Sequence, residues 1–369
     1  MHIHIGHHLL GQIPSLLTQT RMRGAALLVS DTNTWKAAGA ALYPLLAEHH
    51  QLSRAHLEAE VIPATDVAER LVPLAREADF LVAVGSGTLN DLTKYTAHAC
   101  GKPYVVVATA ASMNGYAAAN ASLWEGNHKT SLPAAAPQAI YADLDVLAAA
   151  PKHLTASGMA DMLCRSTVEA DSYLSHLTLG TEFAAEAFAA FREYEPRLGT
   201  LQTLMEALIA AGQWMTNTGS SAVSSQGEHM IAHTLEMHYG QKLRGITHGQ
   251  LVAVASVAMA RRQFAMLEHV PHLLQAGGDL PAAKQFSREK RQKINARLQK
   301  IWPQLANYIR HHCHPPEILA AMLKQAGAPT LPEEIGLTAE EFNRAVTSAH
   351  RTRDRFTFLD VTPPQQHAG

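Results

Sequence analysis

The sequence predicts an α/β protein in two parts. A Rossmann-like parallel-sheet domain is expected over residues 1–150, and an all-helical domain over residues 151–369. Three observations predict it. Short apolar, β-branched runs alternate with helical periods in the first part, as in βαβ units of a sheet covered on both faces. A glycine turn joins one such strand to a helix at "FLVAVGSGTLNDLTK", residues 80–94. Beyond about Pro151 the segments read as helices, and convincing strands stop.

In chain order, the predicted strands are "AALLVSD", "HLEAEVIP", "FLVAVGSG" and "PYVVVATA". The helical periods between them are "TWKAAGAALYPLLAEHH", "ATDVAERLVPLAREA" and "TLNDLTKYTAHAC". The second part offers "GTEFAAEAFAAFREYE", "LQTLMEALIAAGQWM", "HGQLVAVASVAMARRQFAML", "NARLQKIWPQLANYIRHH" and "PPEILAAMLKQAGAP". Each reads as a helix.

Bulk properties narrow the class. The chain has 369 residues, 47% of them hydrophobic and 17% charged, with a formal net charge of −2. That composition forms packed cores and suggests no nucleic-acid partner. The run "SREKRQKINARLQK" is basic, but Glu289, Ile294 and Leu298 make it an ordinary amphipathic helix face. Three cysteines, Cys100, Cys164 and Cys313, do not form a disulfide framework and suit a reducing compartment. "MHIHIGHHLLGQIP" lacks the features of a signal peptide, and no apolar run is long enough for membrane insertion. A soluble, cytoplasmic protein is expected.

The glycine turn is the first candidate site. Gly85 and Gly87 allow close backbone approach, and Thr88 or Asn90 is placed to cap the helix that follows. The N–H groups of that helix start suit a phosphate. The turn matches neither GxGxxG nor the P-loop, so a plain strand-to-helix joint explains it equally well. Ser86 is no hydrolase nucleophile, because the G-x-S-x-G frame fails at Val84.

The second candidate is "SSQGEHMIAHTLEMHYGQKLRGITHGQ". His229 and His233 are four apart and share a helix face. His248 opens the next helix. Two histidines from neighbouring helices make half a metal site, and a catalytic metal usually takes three protein ligands. Asp161, at what reads as the start of the helix "LTASGMADML", is a candidate third ligand; a helix-capping role is its ordinary alternative. His238 lies near a helix end and is expected to favour the helix dipole. The clusters "MHIHIGHH" and "RHHCHPPE" read as surface histidines.

Several stretches together resemble one family. "VAVGSGTLNDLTKYTA", "VVVATAASMNGYAAANASL", "LTASGMADML", "GEHMIAHTLEMH", "THGQLVAV", "PEEIGLTAEEF" and "RDRFTFLD" occur in the order expected of glycerol-1-phosphate dehydrogenases, within the iron-containing alcohol dehydrogenase, glycerol dehydrogenase and dehydroquinate synthase superfamily. The resemblance covers nearly the whole chain. It implies an oxidoreductase using NAD(H) or NADP(H) and one divalent metal, zinc first, with nickel or iron as alternatives. It implies that Asp161, His229 and His248 ligate the metal and that His233 faces substrate. It assigns the cofactor to Gly85, Ser86, Gly87, Thr88, Leu89, Asn90 and Asp91, and to Thr109, Ala110, Ala111 and Ser112. Asp31 would sit near the adenosine ribose, where an acidic residue favours NAD. A small-molecule substrate and a homo-oligomer are expected.

The chain also departs from the family pattern. Asn114 stands where a substrate-side Asp is usual; it keeps the shape but loses the charge and gains two donors. Ala118 replaces a cofactor-contacting serine, and Ala232 a serine before His233. A related substrate, such as another polyol, a hydroxyphosphonate or a ketose phosphate, is therefore an open alternative. A dehydroquinate-synthase-like lyase is a further one. Cationic partners for a phosphate are available in Lys94, Arg165, Arg351, Arg353 and Arg355.

Overall fold

The computed structural model describes residues 1–20, 22–274 and 280–363. It divides into two units. The first comprises Met1–Gly158 and Arg192–Gly219, and the second Met159–Phe191 and Ser220–Gly369. This differs from a single boundary at 150: the helical segment 201–217 joins the first unit. The segment reads as one more amphipathic helix, and its apolar face does not reveal which core it joins.

The strands are β1 (His2–Gly6), β2 (Ala26–Asp31), β3 (Leu52–Leu57), β4 (Phe80–Gly85), β5 (Tyr104–Ala108), β6 (Asn120–Glu125), β7 (His128–Pro133), β8 (Ala139–Asp143), β9 (His272–Leu273) and β10 (Val361–Thr362). The helices of the first half are α1 (Ile13–Leu17), α2 (Thr32–Thr34), α3 (Ala40–Ala47), α4 (Thr65–Arg76), α5 (Gly87–Ala99), α6 (Leu144–Ala149) and α7 (Lys152–Leu163). Those that follow are α8 (Arg165–Leu179), α9 (Ala185–Tyr194), α10 (Leu201–Asn217), α11 (Gly227–Tyr239), α12 (His248–Ala265), α13 (Arg288–His312), α14 (Pro316–Gln325) and α15 (Ala339–Ala349).

In the first unit, six parallel strands lie in the order β1-β8-β5-β4-β2-β3. Every residue of β2, β4, β5 and β8 is buried. Alternate residues point to opposite faces, so both faces are covered. One core layer contains Leu28, Phe80, Val82, Val84, Val105, Val107 and Tyr141 with Ile13, Leu17, Leu42 and Leu46. The strand order reverses between β2 and β4. In such sheets, ligands bind outside the carboxyl ends of the strands at that switch point.

Three local expectations need correction. The third strand is Leu52–Leu57, not 56–63. It must pair with β2, Leu52 opposite Ala26 and Leu57 opposite Asp31, and Glu60 then turns the chain in a left-handed conformation with φ 61°. β8 and the antiparallel β6–β7 hairpin carry weak sequence signals: β8 is the short "AIYAD", and the hairpin face is half exposed. In the second part, the two-residue strands β9 and β10 pair antiparallel.

The second unit is otherwise helical. α11 packs against α8, α12 and α15; α12 packs against α8 and α14; α13 packs against α8 and β9. The basic run lies on α13, with Ile294, Leu298, Ile301, Trp302, Leu305 and Ile309 buried, as an amphipathic helix requires. No helix among the described residues is long and apolar enough to cross a membrane.

Candidate metal and cofactor site

In the first unit, the strand order brings the sequence-predicted cofactor residues to one edge. Asp31 ends β2, Gly85 ends β4, and Thr109 follows β5, and these three strands are neighbours. Ser86 is the N-cap of α5 but makes no side-chain cap bond. The helix-start amides thus keep their capacity for a phosphate. Thr88 and Asn90 do not cap, because both lie inside α5.

The side chains of this turn have several duties. A Cβ at Gly85 would meet the Leu89 side chain at 2.5 Å, so that glycine is required by packing. A Cβ at Gly87 would meet only Met113, at 3.5 Å, which leaves this glycine to ligand approach. Asn90 is buried and accepts from the Tyr104 hydroxyl at 3.3 Å. Asp91 accepts from Lys94 at 3.3 Å and from the Ser122 N–H at 3.0 Å. The side chains of Asn90 and Asp91 are therefore engaged within the protein, and the Asn90 N–H donates to Ser86 O at 2.9 Å, so the helix-start amides left for a cofactor end at Leu89. Asp31 accepts from the Thr34 N–H at 2.7 Å and caps α2.

Lys94 is fully buried. Its ammonium donates to Asp91, to Gly115 O at 2.8 Å and to Asn120 O at 3.0 Å, which accounts for its three hydrogens. It is thus no phosphate partner but a brace for the loop that bears Asn114. The same loop is pinned by Tyr116, whose hydroxyl donates to Ala110 O at 2.6 Å, and by Thr216, which donates to Ala117 O and accepts from Ala119 N–H, each at 3.0 Å. Two glycines unremarked in the sequence admit it. A Cβ at Gly158 would lie 2.1 Å from Ala111 O, and one at Gly212 would lie 2.9 Å from Asn114 O. Asn114, Thr109, Ser112, Ala110, Ala111 and Ala118 are all buried.

In the second unit, the three predicted ligands converge. Asp161 lies in the last turn of α7, not at its start, because the helix begins directly after Pro151. His229 is in the first turn of α11, and His248 is the first residue of α12. Thr247 and Gln250 form a capping box that sets where α12 begins, and thereby where His248 stands. At the other helix, Asp171 accepts from the Gly227 N–H at 3.0 Å, so a carboxylate occupies the positive end of α11. A Cβ at Gly227 would meet Met259 at 2.5 Å and Asp171 at 2.8 Å.

One donor atom from each of Asp161, His229 and His248 falls within 4.8 Å of the others. His229 Nε2 is 3.8 Å from Asp161 Oδ1. His229 Nδ1 donates to Glu228 at 2.8 Å, and His248 Nδ1 donates to Glu236 at 3.0 Å. A carboxylate only accepts, so each Nδ1 carries the hydrogen and each Nε2 keeps its lone pair. Carboxylate-backed imidazoles are the usual arrangement behind metal-ligating histidines. Burial lowers the His229 pKa despite Glu228, which favours the neutral ligand form. The donor set fits a divalent metal.

Two other groups lie within the same reach. Cys164 with Glu228 and His229 fits poorly: burial raises the Cys164 thiol well above its usual range, and Glu228 already holds His229. His233 with Glu236 and His248 has its carboxylate bonded to both rings. His238 is exposed, and the terminal histidines belong to none of these groups. His7 and His8 pair with Asp145 instead.

His233 Nδ1 donates to Glu236 at 3.1 Å, and its Nε2 accepts from Arg353 at 2.9 Å. Arg353 and Arg355 both donate to Ser225 Oγ, at 3.1 and 3.0 Å, and Arg355 also reaches Ser221 Oγ at 2.6 Å. Arg165 is buried and donates to Ser224 O; its Nε and Nη2 have no hydrogen-bond partner among the described residues. Burial lowers Arg353, and burial with Arg353 beside it pushes Arg355 down to about 9. Glu228 acts against both shifts, and Glu236 against that of Arg353. Glu228, Glu236 and the Arg353–His233 contact carry no motif spacing of their own, so only the fold reveals them.

The fold and this site define a class. A family model described as "Iron-containing alcohol dehydrogenase" matches residues 4–151. A glycerol-1-phosphate dehydrogenase (NAD(P)+) of Bacillus subtilis (strain 168) is 32% identical, covering 91% of this chain and 84% of that protein. One of the same name from Bacillus velezensis is 30% identical over the same shares. The structure of a probable glycerol dehydrogenase from Sinorhizobium meliloti 1021 superposes with a TM-score of 0.65 at 18% identity, covering 97% of this chain and 91% of that one. The chain belongs to the iron-containing alcohol dehydrogenase family and is an oxidoreductase. Within that family it is similar to the glycerol-1-phosphate dehydrogenases.

Proposed function

We propose that the protein is a metal-dependent, NAD(P)-linked dehydrogenase that interconverts dihydroxyacetone phosphate and sn-glycerol 1-phosphate. One observation carries the reading: Asp161, His229 and His248 bring three ligand atoms within 4.8 Å, with both histidines held Nε2-inward by carboxylates. The printed names of the relatives supply the substrate and the NAD(P) cofactor. A metal held by Asp161, His229 and His248 would supply Lewis-acid polarisation of the substrate oxygen, and a bound nicotinamide would supply hydride transfer.

The chain's own groups do the rest. Arg165, Arg353 and Arg355 attract the phosphate: Arg165 is buried and the other two are partly buried, and the partners of all three are serine oxygens, a carbonyl and an imidazole. Charge-assisted bonds to a phosphate would replace those weaker contacts. His233 handles the proton. In oxidation, Nε2 takes the hydroxyl hydrogen; in reduction, the imidazolium returns it, with Glu236 stabilising the charge on the Nδ1 side. Arg353 must yield Nε2 for this, and a phosphate that draws the guanidinium away would free it. The metal is expected to be zinc, with nickel or iron compatible with the same donors. A cytoplasmic homo-oligomer is expected.

A second reading rests on Asn114. With the family's charge missing there, the site would take another polyol, hydroxyphosphonate or ketose phosphate. The test measures NADH and NADPH oxidation with dihydroxyacetone phosphate, using protein reconstituted separately with zinc and nickel, beside Asn114→Asp. Turnover by the natural protein supports the first reading. Turnover only in Asn114→Asp supports the second.

A further inference from the structure

Glu236 touches two of the three functional histidines of the second unit. Oε1 accepts from His248 Nδ1 at 3.0 Å, and Oε2 accepts from His233 Nδ1 at 3.1 Å. The two rings are 5.0 Å apart and 31° from parallel. One carboxylate therefore fixes the tautomer of both rings and presents both Nε2 atoms.

We propose that Glu236 is a positioning residue that sets the metal ligand His248 and the proton-handling His233 as one unit. The inference rests on the ligand and proton roles given above. Its physical basis is the difference between the three ligands. His229 is almost fully buried and has Glu228 to itself, with Glu228 also accepting from the Gln226 N–H at 2.8 Å and from Thr167 at 3.2 Å. His248 has a side chain 30% exposed and stands at a helix start, so its orientation depends most on a side-chain anchor. That anchor is shared with His233. Loss of Glu236 thus weakens metal binding and disturbs proton transfer together, while leaving His229 in place. Both Glu236 oxygens accept from the Nδ1 side of the two rings, which assigns it to holding the ligands and not to ligating.

The test uses the full chain as Glu236→Ala, Glu236→Gln and His248→Ala. Zinc affinity is measured by chelator competition without substrate or cofactor, and melting of the metal-free proteins checks folding. Glu236→Ala should bind zinc roughly 10- to 100-fold more weakly. Its turnover at saturating zinc should still fall, with KM for NADH unchanged. Glu236→Gln keeps one acceptor and should lie between Glu236→Ala and the natural protein. If Glu236→Ala does not fold, the Gln variant carries the same readouts. Natural zinc affinity and turnover in the Glu236 variants would overturn the positioning role, and the ligand assignment would survive if His248→Ala loses the metal. Loss of zinc in Glu236→Gln as complete as in His248→Ala would make Glu236 a ligand and also overturn it. Full zinc retention by His248→Ala would refute the ligand assignment and the inference with it.

Discussion

His229 and His248 approach the proposed metal position from two helices, each with a carboxylate behind it. Replacing either with Ala should remove the metal and lower turnover roughly a thousandfold or more, since Lewis-acid stabilisation supplies several kcal/mol. Metal content after dialysis, read beside activity, checks this. Arg355 tests the phosphate reading. Arg355→Met should raise KM for dihydroxyacetone phosphate roughly thirtyfold, about 2 kcal/mol for a lost charge-assisted bond, with KM for NADH unchanged. Inorganic phosphate should raise the melting temperature of the natural protein more than that of Arg355→Met. At Asn114 the steric setting is already prepared, because Lys94, Tyr116 and Gly212 hold its backbone in place. The Asn114→Asp exchange therefore changes charge without changing shape.

Single elements are held by specific pairs. Lys284, almost fully buried, donates to His350 O at 2.7 Å and to Asp360 Oδ1 at 2.9 Å. It fastens the segment leading into β10 to the helical unit. Lys284→Met would leave the Asp360 carboxylate buried and uncompensated, at a cost of about 3–5 kcal/mol. Urea denaturation measures it. The start of α15 carries a capping box between Thr338 and Glu341, and Lys242 adds an ion pair at 2.7 Å. The Lys242 bond, then the Thr338 N–H, lowers the Glu341 pKa from 4.5 to about 2. A depressed carboxylate contributes stability that is present above its unfolded pKa and lost as pH falls through the folded one. The natural protein should therefore lose stability relative to Glu341→Gln as pH drops from 4.5 towards 2. Denaturant midpoints of the two proteins across that range would show no divergence if the pair contributes nothing.

Across the whole molecule, what was legible follows from locality. The glycine turn, the i,i+4 histidine pair and the alternation of strand and helix are short-range patterns, and all appear where expected. β3 was displaced because an edge strand takes its register from β2 and not from its own alternation. Lys94 looked available because a lysine in sequence shows no sign of the three oxygens that surround it. In sequence Glu228 and Glu236 are ordinary helix acids; the fold brings Glu228 to His229, and Glu236 to His233 and His248. The fold class, the family and the three ligand candidates are therefore legible from residues alone, because they depend on residue type and near spacing. Which acids back the candidate ligands, which arginines meet around Ser225 and that Lys94 is internal are visible in the folded chain alone. Those facts depend on contacts between residues up to 134 positions apart, such as Arg355 with Ser221, and burial there sets the strength of each charge.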